Sequence, residues 1–326
     1  MNIHRGMTKL KLIGCVILLG MTCYGCAQKE EALGPLDQLD QMEEKKQNQM
    51  EQGDDHEFSD EGNMGDKKAD SQTDGDFTWE DYAWEMIPGD LTMENLLVTA
   101  LSPVGQTMYI WGGGWNEEDT GAGIDARTLG LSPRWAEFAA VQTKEYDYYD
   151  YKYQIHDGLD CSGYIGWLVY NLFETEDGKE GYVMKSSEMA EDFAKRGWGT
   201  FTPAEQVTDW ELGDVMSMKG HVWLCLGMCQ DGSVLILHSS VTGVSVCGTN
   251  LPEGEESEAV RLAKDFMSTC YPEWYERYPN CGRSHDYLVK SGQFRWSDEI
   301  LKDSWKLKAY SAADLLASLK KKLLAN

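Results

Sequence analysis

A single cysteine stands between a turn signal and an apolar helical pattern, and this stretch constrains the fold more than any other part of the chain. Residues 158–167 read Gly-Leu-Asp-Cys-Ser-Gly-Tyr-Ile-Gly-Trp. Asp160 is a natural N-cap, and apolar residues follow at the spacing of one buried helix face: Ile165, Leu168, Val169 and Leu172. The pattern predicts a buried helix that begins at Cys161.

The predicted position of Cys161 also affects its chemistry. Free backbone N–H groups and the positive end of the helix dipole favour a thiolate over a thiol at a helix N-terminus. Cys161 is therefore a candidate nucleophile, and a nucleophilic thiol needs a base.

Two later histidines lie in segments that read as neighbouring strands. Residues 220–227 are β-rich and begin Gly-His, Asp231-Gly232 is a hairpin signal, and residues 234–239 end in His-Ser. If both rings point to the face on which the Cys161 helix packs, His221 can take the thiol proton while His238 fixes the imidazole tautomer. Either histidine taken alone is more typical of a structural or surface residue. The ordered set of three favours a catalytic interpretation.

These residues belong to a longer series of motifs in a fixed order. The series runs through a helix-like segment from Asn95 to Val104, Tyr109-Ile110-Trp111-Gly112-Gly113, Asp160-Cys161-Ser162-Gly163, Gly213-Asp214-Val215, His221-Val222 with Gly227, and Leu237-His238-Ser239. In this order the motifs resemble the NlpC/P60-type cell-wall cysteine peptidases, a papain-like family of peptidoglycan endopeptidases. The resemblance covers the chain from about Leu91 to Val246.

The resemblance implies a role for each residue of the predicted catalytic set. Cys161 would attack a peptide carbonyl, His221 would act as base and then as acid, and His238 would orient His221. Tyr109 would stand near the thiol and stabilise the oxyanion together with backbone N–H groups at the start of the helix. For Tyr109, a hydroxyl that is satisfied within the fold is the alternative.

Substrate contacts are implied in the same way. Asp160 and Ser162 match positions that hold the free amino end of a stem peptide in some members of the family, and Trp111 is a further candidate contact. Ser187 is a candidate as well, although Lys185 precedes it where the family usually has arginine. A structural hydroxyl is the alternative for Ser187.

Two segments depart from the family pattern. An acidic, tyrosine-rich insertion occupies residues 115–157, where the family usually has a short loop. It could form one wall of the substrate groove, and a solvated decoration far from the chemistry is the alternative. Residues 251–326 match nothing in the family, and helical patterns are predicted there for 256–267 and 311–324.

The N-terminus resembles that of an exported bacterial lipoprotein. Basic residues precede an apolar run from Leu12 to Met21, which is too short to span a membrane and fits a signal-peptide core. Cys26 follows and is the predicted lipidation site. A secreted protein without a lipid is the alternative.

Composition limits what the rest of the chain can do. Residues 27–76 contain 16 Asp and Glu against 5 Lys and Arg, a composition that predicts a disordered tether. The whole chain has a formal net charge of −26, which argues against binding nucleic acid or adhering electrostatically to anionic lipid. Membrane association would depend on the lipid anchor.

The remaining cysteines are expected to be structural. Export permits disulfides, and Cys270 with Cys281 is the predicted pair because both lie in a turn-rich stretch. Cys225 is expected to be a small buried residue in a strand. No metal or other cofactor is predicted, because Cys225, Cys229 and His221 lack a second paired motif.

The sequence therefore predicts an α+β protein with a papain-like NlpC/P60 fold, in which the Cys161 helix packs on an antiparallel sheet. The predicted parts are a signal peptide (1–25), a lipidated tether (26–76), a catalytic domain (77–250) and a C-terminal helical extension (251–326). The predicted reaction is hydrolysis of amide bonds in peptidoglycan stem or cross-link peptides through a thioester. The alternatives are an inactive lipid-anchored cell-wall binding protein and an amidase or acyl transferase with the same Cys–His dyad.

Overall fold

A mixed sheet forms the centre of the molecule in the computed structural model, which describes residues 83–174, 178 and 180–325. Its seven strands follow the order β1-β7-β2-β3-β4-β5-β6. They are β1 (Gly199–Thr202), β2 (Val215–Met218), β3 (His221–Met228), β4 (Val234–Ser240), β5 (Gly243–Thr249), β6 (Gly282–Arg283) and β7 (Gly292–Trp296). All neighbouring strands are antiparallel except β5 and β6, which are parallel.

Eight α-helices accompany the sheet within the described part of the chain. They are α1 (Met93–Leu101), α2 (Pro133–Ala140), α3 (Cys161–Phe173), α4 (Met189–Lys195), α5 (Glu258–Cys270), α6 (Pro272–Arg277), α7 (Asp286–Lys290) and α8 (Ala312–Ala325). The predicted α+β class with a mainly antiparallel sheet is confirmed.

The helix α3 begins at Cys161, as its capping residue predicts. The Asp160 carboxylate accepts a hydrogen bond of 2.6 Å from the backbone N–H of Gly163, which satisfies one of the free donors of the first turn. A side chain at Gly163 would overlap the carbonyl oxygen of Gly113, so glycine allows residues 112–114 to pass against this turn.

The two faces of the sheet bury separate apolar clusters. Val222, Leu224 and Leu237 pack in the same cluster as the buried residues of α3. The alternating residues Trp223 and Ile236 belong to a second cluster, which Tyr287 and Leu288 of α7 complete. Because successive side chains in a strand point to opposite faces, α3 and α7 cover opposite faces of the sheet.

The C-terminal segment is more than a helical extension, because it supplies two strands to the sheet. β7 pairs with both β1 and β2, although it follows β2 by more than seventy residues of chain. Phe294 and Trp296 of this strand are buried in the core.

Most predicted helices and strands are present, with shifted ends. The first helix begins at Met93 rather than Asn95 because the Thr92 side chain caps it, and it ends before Pro103, which lacks the N–H that a helix interior needs. The helices predicted for 256–267 and 311–324 correspond to α5 and α8.

The predicted disulfide between Cys270 and Cys281 is wrong. All six cysteines of the described residues carry free thiols. Cys270 ends α5, where it interacts with Lys320 and Asp265, whereas Cys281 interacts with Cys247 of β5. The turn-rich sequence between the two cysteines forms α6 and directs their side chains into different surroundings.

The predicted signal peptide, Cys26 and the acidic tether lie outside the described residues, as does the predicted start of the folded part at Phe77. Within the described residues, no helix is long and apolar enough to span a membrane.

A partly buried ion pair connects the C-terminal segment to the residue before β2. The Arg295 guanidinium binds both carboxylate oxygens of Asp214, at 2.9 and 2.7 Å; Asp214 is buried and Arg295 is half-buried. We expect Arg295→Met to lower the free energy of unfolding by about 2–3 kcal/mol, because the buried carboxylate loses two charge-assisted hydrogen bonds and keeps only those from Gln293 and the Glu211 N–H. Urea denaturation measures this change.

An exposed ion pair provides the control. Lys195 and Glu191 are 3.0 Å apart on the surface of α4, and Lys195→Met should change the free energy of unfolding far less than Arg295→Met does. Equal losses in the two variants would show that β7 does not depend on the Asp214 contact.

Candidate catalytic site

The Cys161 thiol lies at the start of α3, next to the first residues of β3. Its Sγ atom is 4.0 Å from the carbonyl oxygen of Gly220, the residue that precedes His221. The Ser239 hydroxyl donates a hydrogen bond of 2.6 Å to the carbonyl oxygen of Leu159, so β4 is also held against the chain that enters α3. Strands β3 and β4 therefore meet the N-terminus of α3 at the residues that the sequence singled out.

The two histidines form a buried, hydrogen-bonded pair. Nε2 of His221 lies 2.8 Å from Nδ1 of His238, and their rings meet edge to face. His221 begins β3, and His238 lies in β4 opposite Ser245 of β5. The second nitrogen of His221, Nδ1, is buried and has no hydrogen-bond partner within the described residues.

The two rings do not point to the face on which the Cys161 helix packs, so the condition set out for the catalytic interpretation is not met in that form. His221 alternates with Val222 and shares a face with Trp223, and both rings contact Tyr287 of α7 at centroid distances of 5.2 and 6.0 Å. The rings thus lie on the face opposite to α3. Cys161 meets β3 at the start of the strand, where its Sγ atom lies 4.0 Å from the Gly220 carbonyl oxygen.

Burial controls the charge of the pair. Loss of hydration lowers the pKa of His221 to about 3, and the positive charge of Arg283 adds to this effect. The same two causes, followed by the charge of His221, lower the pKa of His238 well below its ordinary value. Both rings are therefore neutral at pH 7.

Two residues at this pair were not predicted. Nε of Arg283 donates a hydrogen bond of 3.2 Å to Nε2 of His238, and the ring of Tyr287 packs on both histidines. Both residues come from the C-terminal segment. Arg283 stands out only because it is a buried arginine. Its burial cannot be predicted from the neighbouring residues in the sequence, because it belongs to no periodic pattern.

Tyr109 and Trp111 lie in a segment that runs beside the approach to Cys161. Met108 pairs with Gly158, and its carbonyl oxygen accepts a hydrogen bond from the N–H of Leu159. Tyr109 is buried, and its ring packs edge-on against Tyr148 at 5.3 Å.

The insertion folds over this segment. Besides Tyr148, it supplies Tyr146, whose hydroxyl donates to the Tyr109 carbonyl oxygen at 2.5 Å, and Lys152, whose ammonium lies 5.4 Å from the centre of the Trp111 ring. The insertion also contains α2, whose Trp135 is buried in the main core. The insertion is thus a packed part of the fold that contacts two predicted site residues.

Asp160 and Ser162 are already bonded within the protein. The Ser162 hydroxyl donates to Asp160 at 2.9 Å and accepts from the indole N–H of Trp115 at 3.0 Å. Trp115 opens the insertion, so the position implied for a substrate amine is partly taken by an indole of this chain.

Ser187 is exposed, whereas its neighbour Ser186 is buried. The Ser186 hydroxyl donates a hydrogen bond of 3.3 Å to the carbonyl oxygen of Met218, which is the register partner of His221. The structure therefore brings Ser186, rather than Ser187, to the strand beside the histidine pair.

No group of three or more His, Cys, Asp or Glu side chains in the described part of the chain is arranged to hold a metal ion. No protein-family model, curated protein or solved structure matches this chain. The functional argument therefore depends on the motifs and on the geometry of the site.

Asp160 provides a direct test of the electrostatics at the helix start. Burial raises the pKa of Asp160 to about 7, although the Gly163 N–H and the Ser162 hydroxyl both favour its charged form. We expect a carbon-13 NMR titration to show a midpoint for this carboxyl near 7. A midpoint near the ordinary aspartate value of about 4 would contradict the conclusion that burial dominates the pKa of the Asp160 carboxyl.

The same shift predicts a pH dependence of stability. Because the native pKa is raised, the contribution of protonated Asp160 is fully present below about pH 4 and is lost as the pH rises through about 7. Asp160→Asn keeps a capping side chain and should remove this component of the dependence, as measured by urea denaturation across that pH range.

Proposed function

We propose that this chain is a cysteine peptidase of the NlpC/P60 type, with a papain-like fold, that hydrolyses amide bonds in peptidoglycan stem or cross-link peptides. One observation carries the proposal. A thiol at the N-terminus of a buried helix lies 4.0 Å from the residue before His221, and His221 is hydrogen-bonded to His238 at 2.8 Å. The order of these residues along the chain and the contact of the thiol with the residue before His221 support thiol hydrolysis.

The proposed reaction has two halves. The thiol proton of Cys161 passes to Nδ1 of His221 as the sulfur attacks the carbonyl carbon, and the C–N bond then breaks as His221 returns the proton to the leaving amine. Water next adds to the thioester with His221 as base, and the C–S bond breaks to release the acid and restore the thiol. His238 holds the His221 ring at Nε2 throughout.

The two nitrogens of His221 have different surroundings, which supports this assignment. Nε2 is bound to His238, whereas Nδ1 is buried without a partner in the described residues. A base needs one free nitrogen for the reacting proton and one that a neighbour orients. Catalytic hydrogen bonds in unliganded enzymes often shorten only when substrate binds.

The substrate class rests on the resemblance and on the surroundings of the site. Tyr109 and Tyr148 are buried, so the groups at this segment that offer contacts to a peptide are the half-buried Trp111 ring and the Lys152 ammonium beside it. We assign the oxyanion to Tyr109 and to the backbone N–H groups of the first turn of α3.

Selective alkylation tests the nucleophile. Burial raises the pKa of Cys270 to about 11 and those of Cys229 and Cys281 to about 12, so these thiols stay protonated at mildly acidic pH. We expect iodoacetamide to modify Cys161 first under these conditions, as read by peptide mass spectrometry. Earlier modification of another thiol would contradict the assignment.

Mutagenesis tests the reaction. Cys161→Ala and His221→Ala should each reduce turnover of purified cell-wall fragments by at least about 10³-fold, because each removes a group that takes part in bond making. His238→Asn should retain more activity than His221→Ala, since asparagine can still orient the base. Mass spectrometry of the fragments identifies the bond that is cut.

Cys270→Ser is the matched control, because this cysteine ends α5 away from the histidine pair, and its turnover should equal that of the wild type. Retention of hydrolysis by Cys161→Ala would exclude the mechanism. A wild-type protein that binds the fragments without changing them would favour the inactive binding protein. A product without peptide-bond cleavage within the stem would favour an amidase or acyl transferase.

We also propose that the protein is held at the outer face of the bacterial cytoplasmic membrane through a lipid on Cys26. The N-terminal sequence supports this, and the net charge of −26 argues against anchoring by a basic surface. Cells labelled with a fatty-acid analogue should yield labelled wild-type protein and unlabelled Cys26→Ala protein. Wild-type protein found wholly in the medium would contradict the anchor.

A further inference from the structure

Arg283 binds the outer nitrogen of the histidine pair in a fixed orientation. Its Nε donates to Nε2 of His238 at 3.2 Å, and one terminal nitrogen donates to the carbonyl oxygens of Gly282 and Asn280 at 2.8 and 3.3 Å. Arg283 is buried, and its backbone is held in β6 beside Thr249 of β5. The guanidinium group is thus aimed at His238 by its own chain and by the sheet.

We infer that Arg283 is a positioning residue that sets the direction of the hydrogen bonds in the His221–His238 pair and holds the pair in a resting tautomer. The inference rests on the proposed function, because it concerns the same pair.

The direction follows from the donor and acceptor groups. A guanidinium has only donors, so Nε2 of His238 must be the nitrogen that carries a lone pair. Neutral His238 then carries its proton on Nδ1 and donates it to Nε2 of His221, 2.8 Å away. Nε2 of His221 is therefore an acceptor, and neutral His221 carries its own proton on Nδ1.

This resting tautomer opposes the first chemical step. To take the thiol proton of Cys161, His221 needs a lone pair on Nδ1, which bears hydrogen in the resting form. In the competent form, which can accept the thiol proton, His221 carries its proton on Nε2 and donates it to Nδ1 of His238, so Nδ1 of His221 is unprotonated. His238 then carries its own proton on Nε2. The pair holds two protons in both forms. In the competent form, however, the N–H of Arg283 meets another N–H on His238, so that hydrogen bond is lost.

The charge of Arg283 acts in the same direction. An imidazolium on either ring is disfavoured by burial and by a guanidinium within hydrogen-bond distance, and both effects lower the pKa of His221 and of His238.

Other polar and ionisable groups lie in the elements packed at the pair. They are Tyr287 of α7, whose ring contacts both histidines, Cys247 of β5 in the same apolar cluster as Tyr287, and the exposed Asp286–Lys290 ion pair of α7. Arg283 combines a fixed positive charge with a direct hydrogen bond to a ring nitrogen, so it sets the tautomer.

Nitrogen-15 NMR of the full wild-type chain tests the inference without any variant. The chemical shifts of the ring nitrogens should show His221 protonated on Nδ1 and His238 protonated on Nδ1, with both Nε2 atoms unprotonated. Protonation of Nε2 of His238 in the wild type would overturn the inference.

Three variants change the hydrogen-bonding groups and the charge at residue 283. Arg283→Lys keeps a positive group that only donates and should keep the resting tautomer. Arg283→Gln removes the charge and offers an acceptor as well as a donor, so it no longer fixes the direction, and Arg283→Met removes the charge and both kinds of group. In Arg283→Met we expect protonation of Nε2 of His221 and alkylation of Cys161 about tenfold or more faster than in the wild type, because the base becomes available. An unchanged tautomer in Arg283→Met would overturn the inference.

The readouts keep the two proposals apart. The NMR shifts report the tautomer whether or not the protein cleaves cell-wall peptides. Loss of the proposed peptidase function with the predicted shifts intact would leave the role of Arg283 in place. Turnover that depends on Cys161 together with the opposite tautomer would retain the function and exclude the role of Arg283. If Arg283→Met does not fold, as judged by circular dichroism, the wild-type shifts and the donor-only Arg283→Lys variant decide.

Discussion

The cap that Asp160 places on α3 determines where the thiol lies, and the rest of the candidate site depends on that position. The carboxylate binds the N–H of Gly163, and the Asp160 N–H donates to the carbonyl oxygen of Gly113 at 2.9 Å. If the helix α3 were shifted by one residue along the sequence, the Cys161 side chain would be turned by about 100° around the helix axis, away from Gly220. The missing side chain at Gly163 matters for the same reason, because it lets residues 112–114 lie against the first turn.

The insertion and the C-terminal segment meet each other as well as the site. The Arg277 guanidinium donates to the carbonyl oxygens of Ala139 and Gln142 in the insertion, at 3.0 and 2.8 Å, and the Tyr278 hydroxyl donates to that of Thr143 at 2.7 Å. A few residues later the same C-terminal chain brings Arg283 to His238. The insertion and the C-terminal segment are therefore joined by direct contacts, and neither packs as an independent appendage.

Burial dominates the electrostatics of this region, and it acts oppositely on acids and bases. It raises the pKa of Asp160 to about 7 and lowers that of His221 to about 3, because it disfavours the charged form of each. Two groups that are usually charged at neutral or mildly acidic pH are thus shifted toward their neutral forms within one small region. Charge at the site is then carried mainly by Arg283, whose guanidinium stays protonated even when it is buried.

Local sequence determined the helix that begins at Cys161 and the two strands that carry the histidines, because capping and hydrophobic periodicity act over a few residues. It also indicated that His221 and His238 would be neighbours, since a short hairpin joins their strands. Only the tertiary structure decided the face on which the rings lie, the free thiols of Cys270 and Cys281, and the place of β7 between β1 and β2. Arg283 reaches His238 across 45 residues of chain. Such long-range contacts depend on how whole elements pack, and no short pattern in the sequence specifies them.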